Sequence, residues 1–229
     1  MLQLHQNKLK NDQNSFLNTS LEVWPYYRTK RIGTKLYRFI DFNGARNQQE
    51  KLFHENSTNE LFGPETSGQI SISAWVTCLK NNNIAGFSRL IDIGGIFQVA
   101  VTSAGKIAFY TKYESTNYVG WKTTNKIGTI LGLGSKSFSS STPFHVAITY
   151  NPTDFNLALD PEPPWEENDR FPKIYINGVN QQLSISGEAQ PSKDSRKRSE
   201  LIERYTVIGN RFEGDRPWVG KVAELAVWN

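Results

Sequence analysis

Nowhere in the 229 residues does an apolar period of 3.6 hold for a dozen positions; the nearest stretch, Lys193 to Arg204, is too polar to hide a helix face in a core. What recurs is a period of two. Gln69 to Cys78 sets Ile70, Ile72, Ala74, Val76 and Cys78 on one face and Ser71, Ser73, Trp75 and Thr77 on the other. Leu36 to Phe42 alternates in the same way and stops at the turn pair Asn43-Gly44. Further strands are predicted at Ser88 to Ile93, Ile96 to Thr102, Lys106 to Tyr113, Phe144 to Tyr150, Lys173 to Asn177, Tyr205 to Gly209 and Trp218 to Trp228. Gly94-Gly95 and Ser103-Ala104-Gly105 fall where hairpins should reverse, and Asn177-Gly178 is the strongest two-residue hairpin signal in the chain. Many short strands without a long helix predict an all-β chain, two antiparallel sheets stacked as a jelly-roll sandwich. Three interruptions exceed ordinary hairpins: 114–142, which contains Trp121, the Pro-rich acidic stretch 151–172, and the polar stretch 184–204. Loops of that length on a rigid sandwich are where binding surfaces are expected.

Stability must come from a packed core, because Cys78 is the only cysteine and no intrachain disulfide can form. Cys78 falls on the apolar face of its strand with no basic neighbour to activate it, so it reads as a core residue. No apolar run approaches the roughly 18–20 residues of a membrane helix, which predicts no membrane insertion. Met1 to Lys10 has no apolar stretch of the signal-peptide kind, so the chain as written reads as one made in the cytosol.

Residues 1–35 have another texture. They are polar and rich in Asn and Gln up to Asn14, then carry Trp24-Pro25-Tyr26-Tyr27-Arg28 and Lys30-Arg31, with neither strand nor helix period. Six basic against two acidic residues here account for the whole formal charge of +4, leaving the rest neutral in sum. A neutral body argues against a phosphate-binding face and against nucleic acid as a partner. The expected organisation is an extended basic and aromatic arm, 1–35, on one domain, 36–229. Trp24, Tyr26, Tyr27, Arg28, Lys30 and Arg31 are its candidate docking residues, whether on a neighbouring subunit or on its own domain.

In order along the chain stand Phe39-Ile40-Asp41-Phe42-Asn43-Gly44, Ile70-Ser71-Ile72-Ser73-Ala74-Trp75-Val76, Phe144-His145-Val146-Ala147-Ile148-Thr149-Tyr150, Lys173-Ile174-Tyr175-Ile176-Asn177-Gly178, Tyr205-Thr206-Val207-Ile208-Gly209-Asn210 and Trp218 to Asn229. This succession resembles the LamG-like jelly roll of the concanavalin A-like lectin and glucanase superfamily, over about residues 36–229. The resemblance implies two curved antiparallel sheets in a fold whose members mostly bind glycans or proteins and in some branches hydrolyse polysaccharides. Gly209 and Gly220 then relieve crowding where strands cross, and Trp75 and Trp228 serve as core or sheet-packing residues. Many relatives hold calcium on a loop rim, but no such site matches here residue by residue. Asp160, Glu162, Glu166, Glu167 and Asp169 crowd one loop in a spacing that fits no calcium motif, and read as a solvated acidic loop.

Catalysis finds little support. The glucanases of the superfamily use a Glu-x-Asp-x-Glu type run, and none occurs: Ile91-Asp92-Ile93 and Val222-Ala223-Glu224-Leu225 offer one acid each. There is no Gly-x-Ser-x-Gly elbow, and Gly128 to Ser137 is out of register for a phosphate loop and reads as a flexible one. Three scattered histidines and one cysteine do not make a zinc site, and His145 reads as a satisfied sheet histidine. No cofactor is expected, and the chain is expected not to be an enzyme. Binding remains: an aromatic platform stacks on a sugar ring while polar groups fix it from the rim. Tyr113, Tyr118, Trp121 and Trp165 lie in or beside the long loops, with Arg211, Asp215 and Arg216 as rim candidates.

A lectin-like body without a secretion signal is reconciled most simply by a virion: a structural or attachment component made in the host cytoplasm, docked to neighbouring subunits by its arm and displaying the sandwich. The sequons at Asn18 and Asn56 would then carry nothing. The alternative is a carbohydrate-binding adhesion module of a longer secreted or cell-surface protein, with cell-surface glycans as partners. A polysaccharide hydrolase ranks third.

Overall fold

The computed structural model describes residues 2–3, 26–32, 35–42, 52–55, 70–79, 87–95, 97–112, 118–134, 140–150, 172–187, 205–211 and 213–228. Among them the chain is nearly all β, and every strand pairing is antiparallel. One sheet runs β12 (Val179–Asn180), β11 (Lys173–Ile176), β10 (Ser140–Tyr150), β5 (Ile70–Cys78), β15 (Gly220–Trp228), β3 (Lys35–Phe42) and β2 (Tyr26–Ile32), and β1 (Leu2–Gln3) also pairs with β15. The other runs β13 (Leu183–Gly187), β9 (Tyr118–Thr123), β8 (Ile107–Lys112), β7 (Phe97–Val101), β6 (Ser88–Ile93), β14 (Tyr205–Ile208) and β4 (Leu52–Glu55). The two-sheet sandwich expected from the period of two is thus the fold.

Alternation places the core. Ile70, Ile72, Ala74, Val76 and Cys78 of β5 are buried against Phe97, Val99 and Phe109 of the facing sheet. Each large side chain so removed from water contributes about 1.5–3 kcal/mol. Burial pushes the Cys78 thiol up to about 12, so it is protonated and inert at neutral pH. Trp218 is fully buried and its indole N–H donates to the Thr77 carbonyl at 3.1 Å, which pins the approach to β15 onto β5. Two glycines make this fit possible. A Cβ at Gly209 would fall inside the Phe42 ring, and one at Gly220 would meet the Thr77 carbonyl oxygen.

The interruption 114–142 is not a loop throughout. It contains β9, the start of β10 and one helical turn, α1 (Ile127–Ile130), inside the stretch read as flexible. The turn forms because Ile127 is fully buried and Ile130 and Leu131 pack on the same core. The 184–204 stretch likewise begins in β13, which pairs with β9.

The arm also enters the sheet. Tyr26 to Ile32 pair residue for residue with Phe42's strand, from Tyr26↔Asp41 to Ile32↔Lys35, and Leu2–Gln3 pair with Val227 and Ala226. A boundary at 35/36 therefore falls at the start of β3, behind a strand already joined to it. Strand period failed to reveal β2 because its basic and aromatic residues show no apolar alternation.

Candidate functional site

The side chains predicted for binding separate into three groups. Tyr113, Trp165 and Trp24 lie outside the described residues, and so does the acidic loop with Asp160 to Asp169. Tyr26, Tyr27, Arg28, Lys30 and Arg31 have their backbone in β2, paired to β3. Trp121 is no platform. It is 4% exposed, on the inner face of β9, with its ring 6.4 Å from Phe109 and 5.9 Å from Tyr150. A ring of that area contributes more packed between the sheets than left on a rim, and β9 turns it inward.

The remaining candidates, Tyr118, Arg211, Asp215 and Arg216, come together on the outer face and rim of the seven-stranded sheet. Asn210 builds the rim. Its Oδ1 accepts from the backbone N–H of Arg211 (2.8 Å) and Arg216 (2.9 Å), and its amide donates to the Gly214 carbonyl at 3.3 Å. The turn so closed presents Arg211 with two guanidinium bonds to Asp215, at 2.8 and 2.9 Å, and a second ion pair, to Glu213, at 2.8 Å. Arg216 reaches Asp215 at 3.6 Å. The turn is fastened to β6, since the N–H of Arg89 donates to the Arg216 carbonyl at 2.9 Å.

Beneath it lies a cluster that the sequence reading missed. Asp92 and Gln98 are direct cross-strand partners on the face opposite Ile91, Ile93 and Val99, and Arg89 lies over the Tyr110 ring at 5.7 Å. Tyr118 donates its hydroxyl proton to the Gly95 carbonyl (2.9 Å) and accepts from the Gln98 amide (3.1 Å), while the Gly95 N–H donates to Asp92 Oδ1 at 3.1 Å. Among the described residues, Asp92 Oδ2, Gln98 Oε1 and two nitrogens of Arg89 have no hydrogen-bond partner. Burial pushes the Asp92 carboxyl up to about 6, against the opposing charge of Arg89. Burial likewise raises Tyr118 and lowers Arg89. A carboxyl titrating there has the profile of a general acid. Asp92 is only 1% exposed, and the rim carboxylates are committed to Arg211. Among the described residues no three acids, histidines or cysteines stand close enough to hold a metal ion.

The open aromatic surface is on the other sheet. Trp75, expected to pack in the core or between sheets, is 40% exposed on the outer face of β5. Its ring meets that of His145 at 5.4 Å and 57°, and His145 is its cross-strand neighbour on β10. His145 is itself held: its Nε2 lies 2.7 Å from the Ser73 hydroxyl, and its backbone N–H donates to Asn177 Oδ1 at 2.8 Å. The Asn177-Gly178 turn that reverses β11 into β12, read correctly from the sequence, thus also fixes the platform's flank. On the far side Ala223 stands opposite Trp75, and the Lys221 ammonium sits 4.5 Å over the Phe39 ring. The signal for Trp75 was present: alternation put it with Ser71, Ser73 and Thr77, the polar face.

No protein-family model matches the chain, and no curated protein matches it. Solved structures do. The binding domain of Paraclostridial Mosquitocidal Protein 1 is similar at 14% identity and a TM-score of 0.56, over 92% of this chain and 44% of that one. The receptor binding domain of botulinum neurotoxin mosaic serotype C/D is similar at 14% identity and 0.53, over 90% and 41%. Botulinum neurotoxin type C, whose cell entry depends on interaction with two ganglioside molecules, is similar at 14% identity and 0.51, over 89% and 41%. This chain spans less than half the length of those chains. At such identity the likeness is one of fold, a two-sheet antiparallel β-sandwich.

Proposed function

We propose that this chain is a carbohydrate-binding module, LamG-like within the concanavalin A-like group, which attaches to cell-surface glycans outside the cell and catalyses nothing. The observation that carries the reading is Trp75, a large ring left exposed on a rigid sheet and braced on one side by His145. An exposed indole among serines and alanines is what stacking on a pyranose requires, and its orientation is set before the ligand arrives. The similarity of fold to receptor-binding domains supports the same direction. The assembly-component reading drew on residues 1–35; those of them that are described pair with the chain's own β3 and β15, which favours the module.

Wild type and Trp75→Ala applied to a glycan array test this. Covering about 100 Å² of ring at about 25 cal/mol/Å² is worth about 2.5 kcal/mol, so the variant should lose about 70-fold in affinity with its melting temperature nearly unchanged. A silent wild type, or a variant that binds as well as wild type, would sink the proposal.

A further inference from the structure

We propose that the platform takes an extended run of at least three linked sugars, not a single terminal residue; this rests on the glycan-binding reading above. Trp75 does not stand alone on its face. Trp228 of β15 is half-buried, lies opposite Ser71, and by alternation shares the outer face with Ala226, since Leu225 and Val227 are inside. Trp75 lies four residue steps along β5 from Ser71, which places the two tryptophans about 13 Å apart along the strands and one strand spacing aside. That exceeds one pyranose ring and matches roughly three linked ones.

What lies between them is low and polar. Ser73 and Ser71 continue β5, Ala226 pairs with Ser73, and Ala147 and Thr149 face them from β10. No large side chain of these strands interrupts the path, and the hydroxyls offer donors and acceptors along it. The bulge between Ala223 and Ala226, with Glu224 at φ 50°, adds a residue to β15 and thereby sets Trp228 in register with Ser71. A sugar stacked on Trp75 therefore continues over a serine and alanine floor to a second indole. Two rings with hydroxyls between them suit a polyhydroxylated chain, which stacks its sugar faces and hydrogen-bonds through its hydroxyls.

The test is a length series. Gluco-, N-acetylgluco- and galacto-configured β-linked oligosaccharides of one to five units are titrated against wild type, Trp75→Ala and Trp228→Ala by calorimetry. Affinity for the configuration that binds should rise at least tenfold from one to three units and then level off. Trp228→Ala should remove that gain and leave the disaccharide affinity unchanged, whereas Trp75→Ala weakens every length. Ser71→Arg, which blocks the floor without touching the core, should reproduce the loss at three units even if Trp228→Ala folds poorly. Equal affinity at all lengths, or a Trp228→Ala loss equal at every length, overturns the extended site and leaves glycan binding standing. Silence toward all three series at every length counts against both.

Discussion

Gly220→Ala should lower the stability of this chain by about 2–6 kcal/mol. The residue sits at φ +141°, a conformation that costs an L-residue about 1–3 kcal/mol, and its new methyl would meet the Thr77 carbonyl oxygen. That carbonyl is backbone of β5 and is already bound by the Trp218 indole, so it has nowhere to go without parting β5 from β15. Overpacking of this kind adds about 1–3 kcal/mol. For a chain of this size the sum corresponds to a fall of about 10 °C in melting temperature. Gly134→Ala is the control: φ there is +97°, but nothing stands within 4 Å of the added carbon, so it carries the conformational cost alone. Thermal unfolding of both variants decides the point, and equal losses would show that the contact with Thr77 is not what requires glycine.

The second large effect depends on pH. Asp92, whose carboxyl burial pushes up to about 6, holds its proton more tightly folded than unfolded, where aspartate titrates near about 4. Its contribution to stability is therefore fully present below about pH 4 and is lost as pH rises through about 6. Two pH units at about 1.4 kcal/mol each bound the effect at about 3 kcal/mol. Arg89 and Arg211 pull against the shift and Glu213 adds to it. Asp92→Asn keeps an Oδ1 acceptor for the Gly95 N–H and cannot ionise. Urea unfolding at pH 4, 6 and 8 should show the variant gaining about 2–3 kcal/mol on wild type from the lowest to the highest pH. A difference that stays level would mean that Asp92 titrates alike in both states.

Alternation and turn residues make most of the sandwich legible in the sequence. Ile70 to Cys78 declares its inner face, and Asn177-Gly178 its hairpin, because each signal is local. β9 escaped because Tyr118-Val119-Gly120-Trp121-Lys122-Thr123 carries a glycine and a lysine and sits among loop-like residues, so its one large inward ring looked like a loop tryptophan. Asp92 escaped for a different reason. Ile91-Asp92-Ile93 says plainly that the acid leaves the core, but an outward face can still be covered, and only tertiary structure decides that. Trp75 is the converse. Its alternation with serines marks a solvent-facing ring, whereas the general preference of tryptophan for cores points the other way.

β15 lies between β5 and β3 in the middle of its sheet, although it is the last of the strands in chain order. Its indole anchor and that anchor's acceptor, Trp218 and Thr77, are separated by 141 residues. A ribosome working at about 5–20 residues per second needs roughly 7–28 s to make that interval. Throughout it, β5 and β3 are without the strand that belongs between them, each with a bare hydrogen-bonding edge. The vulnerable period for this molecule is thus its own synthesis: its strands wait for a centrepiece, and whatever shields their edges in the meantime governs the yield of folded chain.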